Sequence, residues 1–254
     1  PKALKNYGYQ GDEWSSDEEM FGLVHEMRVR IISSPPFNGD KILGAILFEK
    51  TMDGEAEGRP VPDYLWSRGI VPFLKVDKGL DEEADGVQLM KPNPGLGSLL
   101  ERAVAKGVFG TKMRSVINQA NEKGIADIVR QQFAVGEQIL RYGLVPIIEP
   151  EVNIKSADRG RSDSILLDEL SRALDVLPDD QQVMLKLSIP EKPGLFEPLV
   201  RHPRVLRVVA LSGGFSRDEA CRELAKNQGM VASFSRALLE GLRHDMGDEE
   251  FNRT

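Results

Sequence analysis

From residue 42 onward, short apolar runs rich in β-branched residues recur along the chain, and the stretches between them are long enough to hold a helix each. The runs are 42–48 (ILGAILF), 71–76 (VPFLKV), 107–113 (GVFGTKM), 144–148 (LVPII), 183–189 (VMLKLSI), 205–211 (VLRVVAL) and 230–234 (MVASF). Runs of this length and content predict strands. Helical spacing of apolar residues marks segments 97–106, 127–141, 162–176 and 216–226 between them. Near-continuous apolar strands joined by helices bury both faces of a parallel sheet, so the expected class is α/β, either doubly wound or closed into a barrel.

Other features narrow the choice. No GxGxxG follows the first run, and GVFGTK at 107–112 lacks the spacing of a phosphate-binding P-loop. A dinucleotide-binding sheet therefore loses ground. At 254 residues with 41% apolar content, the chain suits one large α/β domain spanning 1–254, and no Gly/Ser-rich linker divides it. No apolar stretch is long enough for a membrane span. Forty acidic against 33 basic residues argue against a nucleic-acid surface, although a positive pocket can sit inside an acidic protein. Cys221 is alone, which excludes an intrachain disulfide and fits a reducing cytoplasm; its segment SRDEACREL places it on a helix face. The chain opens PKALKNYGYQ, with neither an initiator Met nor a secretory pattern, and the expectation is that a longer gene product contains it.

Side chains two apart share a strand face. Lys75 and Asp77 therefore face one way, as do Lys112 and Arg114, Glu149 and Glu151, and Lys186 and Ser188, while Ser212 and Gly213 follow the sixth run. Polar groups concentrated at the ends of successive strands are the pattern of a (β/α)8 barrel, whose active sites are assembled there. Lys186 stands out because it interrupts an apolar string, VMLKLSI. An ammonium in such surroundings must either be paired or give up its proton, and a desolvated amine is a nucleophile able to form a Schiff base. Two readings of Lys186 follow: a nucleophile, or a cation paired with Glu149 or Glu151.

Taken together, ILFEKTM, KVDKG, GTKMR, PIIEPE, MLKLSIP, LSGG and SFSRAL, in this order along the chain, resemble class I fructose-1,6-bisphosphate aldolase of bacterial type. The resemblance implies a (β/α)8 TIM barrel that lacks its first strand in this chain, because the family has an aspartate-bearing strand ahead of the segment resembling PKALKNYG. It likewise implies a further helix and tail beyond EEFNRT, and poor stability and weak or no activity are expected for a chain without these parts. It implies four catalytic residues: Lys186 as the iminium-forming lysine, Glu149 as proton acceptor and donor, Glu151 as its support, and Lys112 as the lysine that holds the carbinolamine. Lys75 would bind the far phosphate, and Asp77 and Arg114 would belong to the substrate-binding set. Ser212, Gly213, Ser233 and Arg236 would bind the phosphate nearest the ketone.

The implied activity is the reversible cleavage of fructose 1,6-bisphosphate to dihydroxyacetone phosphate and glyceraldehyde 3-phosphate. No cofactor or metal is expected, since the iminium polarises the substrate and His25, His202 and His244 form no ligand cluster in sequence. The expected partners are sugar phosphates, not nucleic acid or membrane. Against this stand a non-catalytic barrel remnant serving as a scaffold, and another Schiff-base aldolase.

Overall fold

The computed structural model describes residues 2–11, 13–235 and 239–254. Its contacts gather into two compact units, Pro1–Leu74 with Ala105–Phe109 and Ser235–Thr254, and Lys75–Val104 with Gly110–Phe234.

In the first unit, α1 (Lys2–Asn6) and α2 (Asp17–Ser33) precede β1 (Gly44–Leu47), α3 (Glu49–Asp53), a small hairpin of β2 (Glu55–Ala56) and β3 (Arg59–Pro60), α4 (Val61–Ser67) and β4 (Val71–Lys75). Strand β1 runs parallel to β4 from Gly44↔Val71 to Leu47↔Leu74. Ser16 caps α2 by accepting from the Glu19 N–H at 3.2 Å, the interaction that makes serine a favoured start signal. The core of this unit is Leu4, Met52, Val61, Leu65, Ile70 and Leu74, all fully buried. Arg30 of α2 donates to the carbonyls of His244 and Met246 and lies 4.2 Å over the Phe251 ring, which ties in the C-terminal helix of the chain.

The second unit contains β5 (Val87–Gln88), α5 (Leu96–Ala105), β6 (Gly110–Ile117), α6 (Glu122–Arg141), β7 (Val145–Val152), α7 (Arg159–Asp175), β8 (Val183–Ser188), α8 (Glu197–Val200), β9 (Val205–Leu211), α9 (Arg217–Leu224) and β10 (Met230–Ala232). Strands β6 to β10 pair with their successors in chain order and in parallel, and β5 adds an antiparallel pair to β6. The amphipathic helices account for this: α6 turns Ile125, Ile128, Val129, Phe133 and Ile139 inward, and such a face is buried only against a sheet or another helix. Asn121 caps α6 through the Gly124 N–H, and Ser216 and Glu219 form a reciprocal capping box on α9. Cys221 lies exposed and free on α9.

Each of the seven expected strands is present, two in the first unit and five in the second, and all four expected helices form. The strand bounds differ most at the third and fourth strands. The third strand starts at Gly110 rather than 107, because Gly107 has φ +73° and turns the chain before the strand can begin. That strand continues to Ile117 and the next to Val152, since the two pair residue by residue from Gly110↔Val145 to Ile117↔Val152. Lys112, Arg114, Glu149 and Glu151 thus lie within strands and not at their ends. No helix among the described residues is long and apolar enough to cross a membrane.

Candidate active site

Every described residue expected in the site belongs to the second unit. Lys112 on β6, Glu149 on β7 and Lys186 on β8 are 6%, 3% and 8% exposed, so three ionisable groups on three adjacent strands are almost wholly out of water. They are compatible because Glu149 is shared: its Oε2 is 2.8 Å from Lys112 Nζ and its Oε1 is 3.1 Å from Lys186 Nζ. Lys112 Nζ also lies 3.7 Å from Asp77 Oδ2, and Asp77 Oδ1 accepts from Lys75 Nζ at 2.7 Å. The result is one chain of alternating charge, Lys186, Glu149, Lys112, Asp77 and Lys75.

Arg114 and Glu151 form a separate pair on β6 and β7. Burial pulls the guanidinium down, but the hydrogen bond to Glu151 and the charges of Glu151, Glu149 and Asp77 outweigh it and hold Arg114 above its ordinary value. Glu151, expected beside Glu149 as its support, is therefore committed to Arg114. Both pairs obey one geometric rule. Lys112 is registered opposite Ile147 and Arg114 opposite Glu149, yet each cation takes the carboxylate two residues further along β7. Long side chains reach such diagonal neighbours readily.

Ser212 and Gly213 stand past the end of β9, the neighbour of the strand of Lys186, and Ser233 stands past the end of β10, one strand further on. Lys186 is registered with Val209, Ala210 with Ala232, and the Ser233 N–H donates to the Ala210 carbonyl at 2.8 Å. Gly213 has φ +61°, and a Cβ there would stand 2.8 Å from Ile154 Cγ2, so both conformation and space require glycine. Arg236 lies outside the described residues. The three histidines are dispersed: His25 Nε2 bonds the Glu55 carbonyl, His202 lies 3.2 Å from Asp175, and His244 stacks on Tyr9. Among the described residues, no three His, Cys, Asp or Glu side chains are grouped to hold a metal.

Two buried polar residues escape a strand-by-strand reading. Gln132, fully buried on α6, accepts from the Glu149 N–H and donates to Ser115 Oγ, each at 2.9 Å. Its signal was a polar residue on the apolar stripe between Ile128 and Gly136. Asp163 on α7 is also fully buried and accepts from the Glu191 N–H at 2.8 Å, in the segment that follows β8. Desolvation raises its carboxyl to about 6 from an unfolded value of 3.8. Between those two values the folded chain holds a proton that the unfolded chain has lost, so stability falls as pH rises from about 4 through 6. The Asp163→Asn variant lacks this ionisation. Relative to it, the wild type is expected to lose about 2–3 kcal/mol between pH 4 and pH 7 in urea unfolding. A difference between the two that stays constant with pH would contradict the assignment.

A family model described as class-I fructose-bisphosphate aldolase matches residues 25–185, well over half of the chain. The chain belongs to that family. Among solved structures it resembles a fructose-bisphosphate aldolase from Plasmodium falciparum, crystallised with TRAP and a small-molecule inhibitor, at a TM-score of 0.79 and 21% identity over 99% of this chain and 82% of that one. A sugar phosphate isomerase/epimerase from Parabacteroides distasonis follows at a TM-score of 0.48 and 12% identity, covering 93% of this chain and 87% of that one. The first likeness establishes the fold: an α/β barrel of the aldolase type, here with seven barrel strands among the described residues where a (β/α)8 barrel has eight.

Proposed function

We propose that this aldolase works through a Schiff base on Lys186 and cleaves fructose 1,6-bisphosphate reversibly to dihydroxyacetone phosphate and glyceraldehyde 3-phosphate, as a cytoplasmic step of glycolysis or gluconeogenesis. The observation that carries this reading is the single Glu149 carboxylate held between the two buried amines of Lys186 and Lys112.

The steps follow from that arrangement. Glu149 takes a proton from the Lys186 ammonium, and the freed amine attacks the ketone carbon to form a carbinolamine. Glu149 returns the proton to the carbinolamine hydroxyl, which leaves as water, and the C=N bond of the iminium forms. The Lys112 ammonium faces the same carboxylate and stabilises the oxygen as charge develops on it. Glu149 then accepts the proton of the hydroxyl two carbons from the iminium carbon. The intervening carbon–carbon bond breaks, its electron pair passes to the iminium as an enamine, and the aldehyde product leaves. Protonation of the enamine carbon by Glu149 and addition of water release the ketone and restore Lys186. Lys75 takes the far phosphate, with Asp77 and Arg114 as further substrate-site residues held by their ion pairs to Lys75 and Glu151; Ser212, Gly213, Ser233 and Arg236 take the phosphate nearest the ketone, with hydroxyls and main-chain N–H groups as donors to a dianion.

The test is borohydride reduction of the protein with fructose 1,6-bisphosphate or dihydroxyacetone phosphate, read by intact mass and peptide mapping. One adduct per chain on Lys186 is expected. An adduct confined to a different lysine would overturn the mechanism, and none from folded protein would favour the scaffold reading. Equal trapping of unphosphorylated ketoses would point to a different Schiff-base aldolase.

A further inference from the structure

The shared carboxylate works only if its main chain is held still. Between β7 and β8 the register runs over Ile147↔Met184 and Ile148↔Leu185. At the very next residue, the N–H of Glu149 is donated to a side chain, Gln132 Oε1 of α6. The other end of that amide is also fixed, since Gln132 Nε2 donates to Ser115 Oγ on β6. Gln132, Ser115 and Glu149 are all buried, so these bonds exchange little with water and orient the amide in one sense. Ser115 directly follows Arg114 and lies three residues beyond Lys112, so one side chain links the strand of Lys112 to the main chain of Glu149.

We infer that Gln132 is a positioning residue of the reaction: it fixes the Glu149 main chain against the Lys112 strand, so that one carboxylate reaches both lysines. The inference rests on the Schiff-base reading above and deepens it. Its hydrogen bonds go to Ser115 and to the Glu149 main chain, and it acts on the reaction through Glu149. A displacement of about 1 Å at a reacting group costs on the order of a hundredfold in rate, whereas a purely structural glutamine would affect the melting temperature alone.

The experiment compares wild type, Gln132→Met and Gln132→Glu by kcat and KM for fructose 1,6-bisphosphate cleavage, by pH profile, and by borohydride trapping on Lys186. Gln132→Met preserves the side-chain length but offers the Glu149 N–H no good acceptor. It is expected to lower kcat by about ten- to a hundredfold, leave KM within about twofold, and shift the pH profile of trapping. In its protonated form, Gln132→Glu reproduces both bonds and is expected to recover most of the rate at the acid end of that profile. Folded Gln132→Met with wild-type kcat and pH profile would overturn the positioning role while leaving the mechanism intact. Absence of a Lys186 adduct in the wild type would overturn both. Should Gln132→Met fail to fold, Ser115→Ala removes only the acceptor of Gln132 Nε2 and is expected to reduce kcat about threefold at unchanged KM; an unchanged kcat there would equally overturn the inference.

Discussion

Lys186→Ala is expected to fold and to lose cleavage activity by on the order of 10⁴- to 10⁶-fold, with borohydride trapping abolished. The magnitude follows from what is removed: no other residue would form the iminium, and without that electron sink the carbon–carbon bond has nowhere to send its electrons. The fold should survive for an electrostatic reason. Glu149 keeps Lys112 at 2.8 Å when Lys186 is gone, so no carboxylate is left buried without a cation. What remains is the cavity of a shortened side chain on β8, a strand buried along its full length. Lys186→Met fills that space with an uncharged stem and should be at least as stable as Lys186→Ala, yet equally inactive. Residual activity within a hundredfold of wild type, in either variant, would remove Lys186 from the mechanism.

Alternation along each strand was enough to put Lys112 with Arg114, Glu149 with Glu151 and Lys186 with Ser188 on one face of their own strands, because a period of two is a property of the backbone and does not depend on neighbouring strands. Which carboxylate meets which cation was not legible. Glu149 and Glu151 share a face, and only the register of β6 against β7 decides between them, by the two-residue diagonal that gives Lys112 to Glu149 and Arg114 to Glu151. Register depends on residues far apart in sequence, so local pattern cannot supply it. For the same reason, local pattern ends the third and fourth strands at their charged residues. The expected runs stop at Met113 and Ile148, just before Arg114 and Glu149, whereas the paired ladder runs on to Ile117 and Val152. The Gln132 contact was out of reach as well, since it joins α6 to the main chain of another element and leaves only one polar interruption on an apolar stripe.

Glu149 separates the electrostatic role of the site from its chemical one, and its two variants should diverge. Glu149→Ala leaves the ammonium groups of Lys112 and Lys186 facing each other across an emptied, buried position, with Asp77 still 3.7 Å from Lys112. Removing the common partner of buried charges typically costs about 3–5 kcal/mol, and urea unfolding should register a loss of that size. Glu149→Gln fills the same volume and keeps an oxygen to accept from one lysine, so its loss of stability should be smaller. Its chemistry should be lost all the same, because an amide can neither take the proton from Lys186 nor return one to the carbinolamine; a fall in kcat of on the order of 10²- to 10⁴-fold is expected. The order of the two variants is therefore the decisive result. If Glu149→Gln were both stable and active, the carboxylate would serve only to neutralise its neighbours, and the proton transfers would have to run through another group. If Glu149→Ala were as stable as wild type, the two lysines would not depend on Glu149 at all, and the shared carboxylate would lose its place at the centre of the site.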